Sequence, residues 1–248
     1  MLNSQGQHLN VHDAVPADRK LYVYLETPHE RAIPGNLTTL FENEHLLVID
    51  KPHFLATMPR GKHLTETVVT KLRLLGYDDI APLHRLDRLT AGVLALSKRP
   101  SERGTYQKLF QEQQITKTYL ALAPSSALEI PHVIKSHLKK KQDSLQVTCF
   151  PQLQPNAITE IHQETKLGDG LSIYTVRPLT GKFHQIRAHF SALDLPLKND
   201  PFYPEVLPMQ EDDFSKPLGL VAKTLEFTDP ITGENYHFVS NYHVTKNS

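Results

Sequence analysis

The stretch from Pro82 to Arg99 constrains this chain more than any other. It opens as a charged loop, His84-Arg85-Leu86-Asp87-Arg88, and passes through Gly92 into a short apolar alternation, Val93-Leu94-Ala95-Leu96, that ends in Lys98-Arg99. A single carboxylate, Asp87, stands between two guanidiniums with an imidazole three residues before it. Flanking positive charge favours the ionised form of a carboxylate, so Asp87 is expected to be an anion at neutral pH unless it is deeply buried. Such a group is either a structural ion pair or a nucleophile or base kept in position. Charge pattern alone favours the ion pair, because structural ion-pair networks are common.

With 248 residues the chain can build one large domain or two small ones around a proper core. One cysteine, Cys149, excludes an internal disulfide and any multi-cysteine zinc site. The fourteen histidines are scattered, with no pair at His-Glu-x-x-His spacing, so no metal is expected. The first twenty residues are polar and do not resemble a signal peptide, and no run approaches the roughly 18 apolar residues that span a bilayer. The expectation is a cytoplasmic protein with no membrane partner.

Net charge is zero, but it is unevenly spread. Residues 51–141 carry sixteen Lys/Arg against seven Asp/Glu, whereas residues 1–50 carry three against seven and residues 142–248 eight against thirteen. A basic middle between acidic ends can present one positive face without a basic protein overall. A solvated mixed surface explains the charge equally well.

Residues 1–35 read as an N-terminal extension with one strand, Leu21–Leu25, and Pro34-Gly35-Asn36 marks the boundary to a main domain over 36–248. His45–Asp50 has the pattern of a strand buried on both faces, ended by Lys51-Pro52. A helix is predicted from Thr65 as N-cap to Gly76, with Val68, Val69, Leu72 and Leu75 inward. A second helix is expected over Ser101–Gln114 with Tyr106, Leu109 and Phe110 inward, followed by an alternating strand, Ile115–Leu122. Residues 131–180 read as antiparallel strands, with Lys139–Asp143 a charged tip and Gly168-Asp169-Gly170 a tight turn. Gly181 breaks a strand, and Ile186, Phe190 and Leu193 mark the apolar side of a third helix. Leu220–Phe227 alternates into the turn Asp229–Glu234.

His84-Arg85-Leu86-Asp87-Arg88-Leu89-Thr90-Ala91-Gly92 closely resembles the His-Arg-Leu-Asp-x-x-Thr-Ser-Gly signature of the RluA-type RNA pseudouridine synthases, with Ala91 in place of Ser. Further stretches resemble that family in the same order: the buried strand ending in Lys51-Pro52, Lys117-Thr118-Tyr119-Leu120-Ala121-Leu122, and His184-Gln185-Ile186-Arg187. Lys182 and Phe183 replace the usual Arg and Thr, and Lys198-Asn199-Asp200 lacks the glycine usual before the Asp. The resemblance covers about residues 38–240, with no S4 module expected before it.

The resemblance implies an α+β fold, with a central mixed, mainly antiparallel sheet, flanking helices and an RNA-binding cleft. It implies isomerisation of uridine to pseudouridine in ribosomal or transfer RNA, without a cofactor, by a monomer. Asp87 is then the catalytic residue, Tyr119 lines the pocket to stack on the uracil face or relay the C5 proton, Arg187 pairs with Asp87 and can bind it in a fork, and Arg85 fills the space vacated by a flipped base. His84, Arg88, Lys51, Arg60 and Lys62 are expected to meet RNA, the cations through phosphates. The competing reading is a non-catalytic RNA-binding protein with the same fold. A glycosidase-like hydrolase fits less well, because the motifs offer one carboxylate and not a flanking pair.

Overall fold

The computed structural model describes residues 10, 12, 29–140, 144–208 and 210–245. The expected strand Leu21–Leu25 and the tip residues 141–143 lie outside them. The chain divides into Met1–Arg31 and Ala32–Ser248, and the second unit carries all the regular elements described. In chain order these are β1 (Thr38–Glu42), β2 (Leu46–Lys51), α1 (Val68–Leu74), β3 (Ala81–Pro82), β4 (Ala91–Ser97), a 3₁₀ turn (Pro100–Glu102), α2 (Arg103–Gln111), β5 (Thr116–Pro124), β6 (His132–Lys140), β7 (Val147–Phe150), β8 (Ala157–Gly168), β9 (Leu171–Pro178), α3 (Gln185–Ala192), β10 (Leu220–Thr228) and β11 (Asn235–Val239).

The strands form one sheet in the order β1-β2-β4-β10-β5-β9-β8-β6-β7, with β11 on β10 and β3 on β4. All pairings are antiparallel except β4 with β10, where Ala91 and Gly92 lie beside Val221 and Ala222. The mixed, mainly antiparallel α+β expectation is met. The parallel junction depends on Gly92, whose φ is +119° and whose missing Cβ would fall onto the Ala222 carbonyl.

β2 and β4 are buried along their whole length. Alternate residues therefore feed opposite faces, as a pleated strand requires. Leu47, Ile49, Leu94 and Leu96 pack with Val68, Val69 and Leu72 of α1, while Leu46, Val48, Val93 and Ala95 pack with Tyr106 and Leu109 of α2. The helix boundaries differ from expectation. α1 is capped by Thr67 and not Thr65: Thr67 is extended, and its Oγ1 accepts the Thr70 N–H. Leu75, expected inward, is 71% exposed, because it already lies at the C-cap, beyond the last packed turn. α2 is shorter than expected because Pro100 opens a 3₁₀ turn before it and Gln113, at φ 57°, ends it.

α3 is buried nearly all round, polar residues included. Ile186 and Phe190 enter the main core, Ala188 meets Leu138, Val147 and Tyr203, and His189 lies between the Ser136 and Thr159 hydroxyls at 2.9 Å each. Gln185 ties the helix start to β8: its Nε2 donates to Ile158 O and Thr159 Oγ1, and its Oε1 accepts from Thr180 Oγ1 and Lys182 N–H. Among the described residues no helix is long and apolar enough to cross a membrane.

Candidate active site

The loop between β3 and β4 carries Asp87, and its backbone is held from behind by the segment that follows β2. Thr57 Oγ1 donates to Leu86 O at 2.8 Å and accepts from Leu86 N–H at 3.2 Å. His53 Nδ1–H donates to Leu89 O at 2.7 Å, and Lys51 Nζ reaches Arg88 O at 3.4 Å. The Thr90 N–H closes the turn on Asp87 O at 3.0 Å. Three side chains from residues 51–57 thus fix carbonyls or amides on both sides of one carboxylate.

Two sequence expectations for RNA contact are corrected by this arrangement. Lys51 is fully buried, donating also to Pro52 O and Leu55 O, so it has no path to a phosphate. Burial lowers its pKa to about 7, against the opposing pull of Asp87. Arg88 does not hold Asp87 and is not free for RNA: it forks onto Asp212 at 2.6 and 2.9 Å. That partner lies 124 residues away, beyond the reach of local charge pattern. Arg60 and Lys62 are exposed and remain available, but they lie outside the cleft lining.

Asp87 opens into a cleft of about 640 Å³, whose lining includes Arg85, Lys117, Tyr119, Phe183 and Arg187. Tyr119 comes from β5, and Arg187 from the first turn of α3. The Arg187 Nη1 and His184 Nε2 atoms are 3.6 and 3.7 Å from Asp87 Oδ2. Arg187 was expected to grip Asp87 in a fork, but the fork goes elsewhere. Its Nε and Nη2 donate to Asp200 at 2.7 and 2.6 Å, leaving Nη1 to donate to His184 Nε2 at 2.9 Å and to lie beside Asp87. Asp200 is itself braced by the Phe202 N–H at 2.9 Å. The guanidinium also lies over the Phe202 and Tyr203 rings at 5.2 and 5.5 Å.

The sequence alone assigns Asp200 no role. Its signal was the Lys198-Asn199-Asp200 stretch, where the missing glycine matters less than it first suggests. Asn199 adopts φ 58°, the left-handed region that Asn tolerates best after Gly, and its Nδ2 donates to Pro217 O at 3.0 Å.

Burial dominates the electrostatics. It raises the Asp87 pKa above the ordinary carboxylate value, and the charges of Arg187, Arg85 and Lys51 only partly offset this. Tyr119 is likewise pushed up, by burial and then by Asp87, so it remains a phenol across the working pH range. Burial pulls the Arg187 pKa down, but the Asp200 fork and both carboxylates more than restore it, and the guanidinium stays charged. His184 falls to about 2 through burial and the neighbouring cations. It is neutral, with Nε2 occupied by Arg187 and the proton on Nδ1, 3.4 Å from the Tyr203 hydroxyl.

Arg85 is exposed at the cleft wall, as a group meeting RNA must be. His84 also lines the cleft, but as a neutral ring stacked on Phe110 at 4.9 Å, with burial lowering its pKa to about 3. It cannot serve as a phosphate-binding cation. Phe183, in place of the expected Thr, stacks on His184 at 3.8 Å.

Comparison with known proteins places this chain in a family. The sequence model described as RNA pseudouridylate synthase matches residues 45–192, and the chain belongs to that family. Its RluA-type kinship is seen in the dual-specificity RNA pseudouridine synthase RluA of Salmonella typhi, 28% identical over 82% of this chain and 91% of that relative. The mitochondrial tRNA pseudouridine(32) synthase of Saccharomyces cerevisiae is 31% identical over 71% of this chain. The chain spans only 39% of that yeast protein and 48% of the yeast tRNA pseudouridine(31) synthase. The solved structure of human RNA pseudouridylate synthase domain containing 1 shares the fold, with a TM-score of 0.66 at 22% identity, covering 86% of each chain.

Proposed function

We propose that this chain isomerises uridine to pseudouridine within structured RNA, ribosomal or transfer, with Asp87 as the acting carboxylate. The observation that carries the reading is the Asp87–Arg187–Asp200 arrangement at the cleft. It holds one carboxylate next to a guanidinium whose position is already fixed by another acid.

In the reaction the N1–C1′ bond breaks and C5 bonds to C1′. The C5 hydrogen is lost to solvent, and N1 gains a proton. Nothing is oxidised or reduced, and no cofactor is required. Asp87 supplies the anion near C1′ and C2′. Its raised pKa marks a carboxylate whose charge is poorly solvated before substrate arrives, and Arg187 Nη1 is the group placed to stabilise it. Tyr119, kept as a phenol, is a poor proton acceptor at neutral pH. The role that fits it is packing against the uracil ring. Arg85, exposed on the wall, would occupy the gap left when the base is turned out, a step that costs a few kcal/mol of unstacking.

The names of the relatives favour transfer and ribosomal RNA as the substrate classes. A monomer in the cytoplasm completes the reading, and a lone cysteine leaves no internal disulfide that would call for an oxidising compartment. The test is to incubate the protein with RNA from cells lacking it, digest to nucleosides and separate uridine from its isomer by chromatography. Gain of pseudouridine in a tRNA or rRNA fraction is the expected result. RNA that binds in the cleft but gains none would sink the reading.

A further inference from the structure

The cleft contains a cation that no described residue neutralises. Arg187 in the same cleft forks onto Asp200, and outside the lining Arg88 forks onto Asp212 and Lys51 has three carbonyls. Lys117, at the start of β5, lines the same cleft and is half-buried. Among the described residues its Nζ meets neither a carboxylate nor a hydrogen-bond acceptor. Burial lowers its pKa with no opposing anion.

A second donor lines the same cleft. His84 Nε2 accepts the Ala95 N–H at 3.2 Å, so the neutral ring carries its proton on Nδ1, and no described group accepts that proton. The ring is held in place by its stack on Phe110, 25° from parallel. Lys117 is close enough for its charge to act on His84. Gly181 borders the same spot: a Cβ there would come 4.0 Å from Lys117 Nζ. The open space, an ammonium and a neutral N–H donor together suit an oxyanion.

We propose that Lys117 Nζ and His84 Nδ1–H form a phosphate subsite that holds one backbone phosphate of the RNA next to the target uridine. The proposal rests on the cleft binding RNA, as argued above. A phosphate is favoured over a carboxylate ligand because RNA brings one at every nucleotide, and Arg85 and Lys182 on the same walls extend the positive surface. An ammonium that is partly desolvated without a partner weakens the folded state, and a bound phosphate relieves that cost. The two effects have opposite signs, which makes the site testable.

In Lys117→Met the thermal midpoint should rise by about 2–4 °C, while affinity for an RNA that the wild type converts should fall about tenfold. The slope of log affinity against log salt should shrink by about 0.7–0.9, the signature of one lost phosphate contact. Lys117→Arg should keep the wild-type slope. His84→Phe, which preserves the stack and removes a neutral donor, should weaken binding without changing the slope. A Lys117→Met protein with a lower midpoint and an unchanged salt slope would overturn the proposal and make Lys117 a structural residue. Wild-type protein that neither binds nor converts RNA would instead overturn the broader functional reading, so the two failures are distinguishable.

Discussion

Replacing Asp200 by Asn tests whether the site is built around Arg187. Asp200 has no exposed side-chain surface and takes two short charge-assisted hydrogen bonds from a guanidinium only 1% exposed. Asn keeps the shape but loses the charge, and turns one acceptor into a donor facing an N–H. Removing one partner of a buried ion pair costs about 3–5 kcal/mol, because the other charge stays buried and unpaired. For a domain of this size that lowers the thermal midpoint by roughly 6–20 °C. Asp87→Asn should behave oppositely. Its carboxylate is disfavoured by burial, and Arg187 keeps its fork, so stability should be unchanged or higher. Denaturant unfolding at pH 7, with midpoints compared at a common slope, measures both. In Asp200→Asn the freed guanidinium is also expected to turn toward Asp87 and lower its pKa, moving any acid limb of activity to lower pH. If Asp200→Asn costs no more than Asp87→Asn, the fork does not hold the site together and the reasoning is wrong.

Acid should destabilise the protein early. Burial holds His53, His84, His184 and His189 at about 4, 3, 2 and 4, against 6.5 for an unfolded histidine. Below pH 6.5 the unfolded chain binds protons that the folded chain does not, so stability falls as pH drops. The four together approach a slope of about 5 kcal/mol per pH unit near pH 5; unfolding free energy that stays flat between pH 6.5 and 5 would contradict their neutrality. Gly92→Ala should cost about 3 kcal/mol or more, from left-handed strain plus collision with the Ala222 backbone. A midpoint within 2 °C of wild type in thermal melts, by order of magnitude, would rule out that tight junction.

Much of the architecture was legible because it depends on near neighbours in sequence. The continuous apolar run of β2, the alternation of β10 and the Gly168–Gly170 turn are local patterns with few alternatives. Asp87, Tyr119 and Arg187, from three separate motifs, do converge on one cleft. What stayed hidden was which charge meets which. The fork of Arg187 onto Asp200 and that of Arg88 onto Asp212 are set by tertiary packing, and charge patterning cannot choose between carboxylates 13 and 124 residues away. Lys51 looked like a surface cation because it ends an apolar run. Its burial depends on three backbone carbonyls that only the folded loop brings together. The N-cap was misplaced by two residues because Thr65 and Thr67 are chemically equal, and the strand-like pairing of Ala56 with Thr67 decides between them.

The most direct measurement of the central claim is release of tritium from RNA labelled at uridine C5, comparing wild type with Asp87→Asn at matched folded fraction. C5 must lose its hydrogen to bond C1′, so the label enters water only if the isomerisation occurs. The account predicts release by wild type and none by Asp87→Asn, whose midpoint is at or above that of wild type. Release by a folded Asp87→Asn protein would contradict it and remove Asp87 from the chemistry.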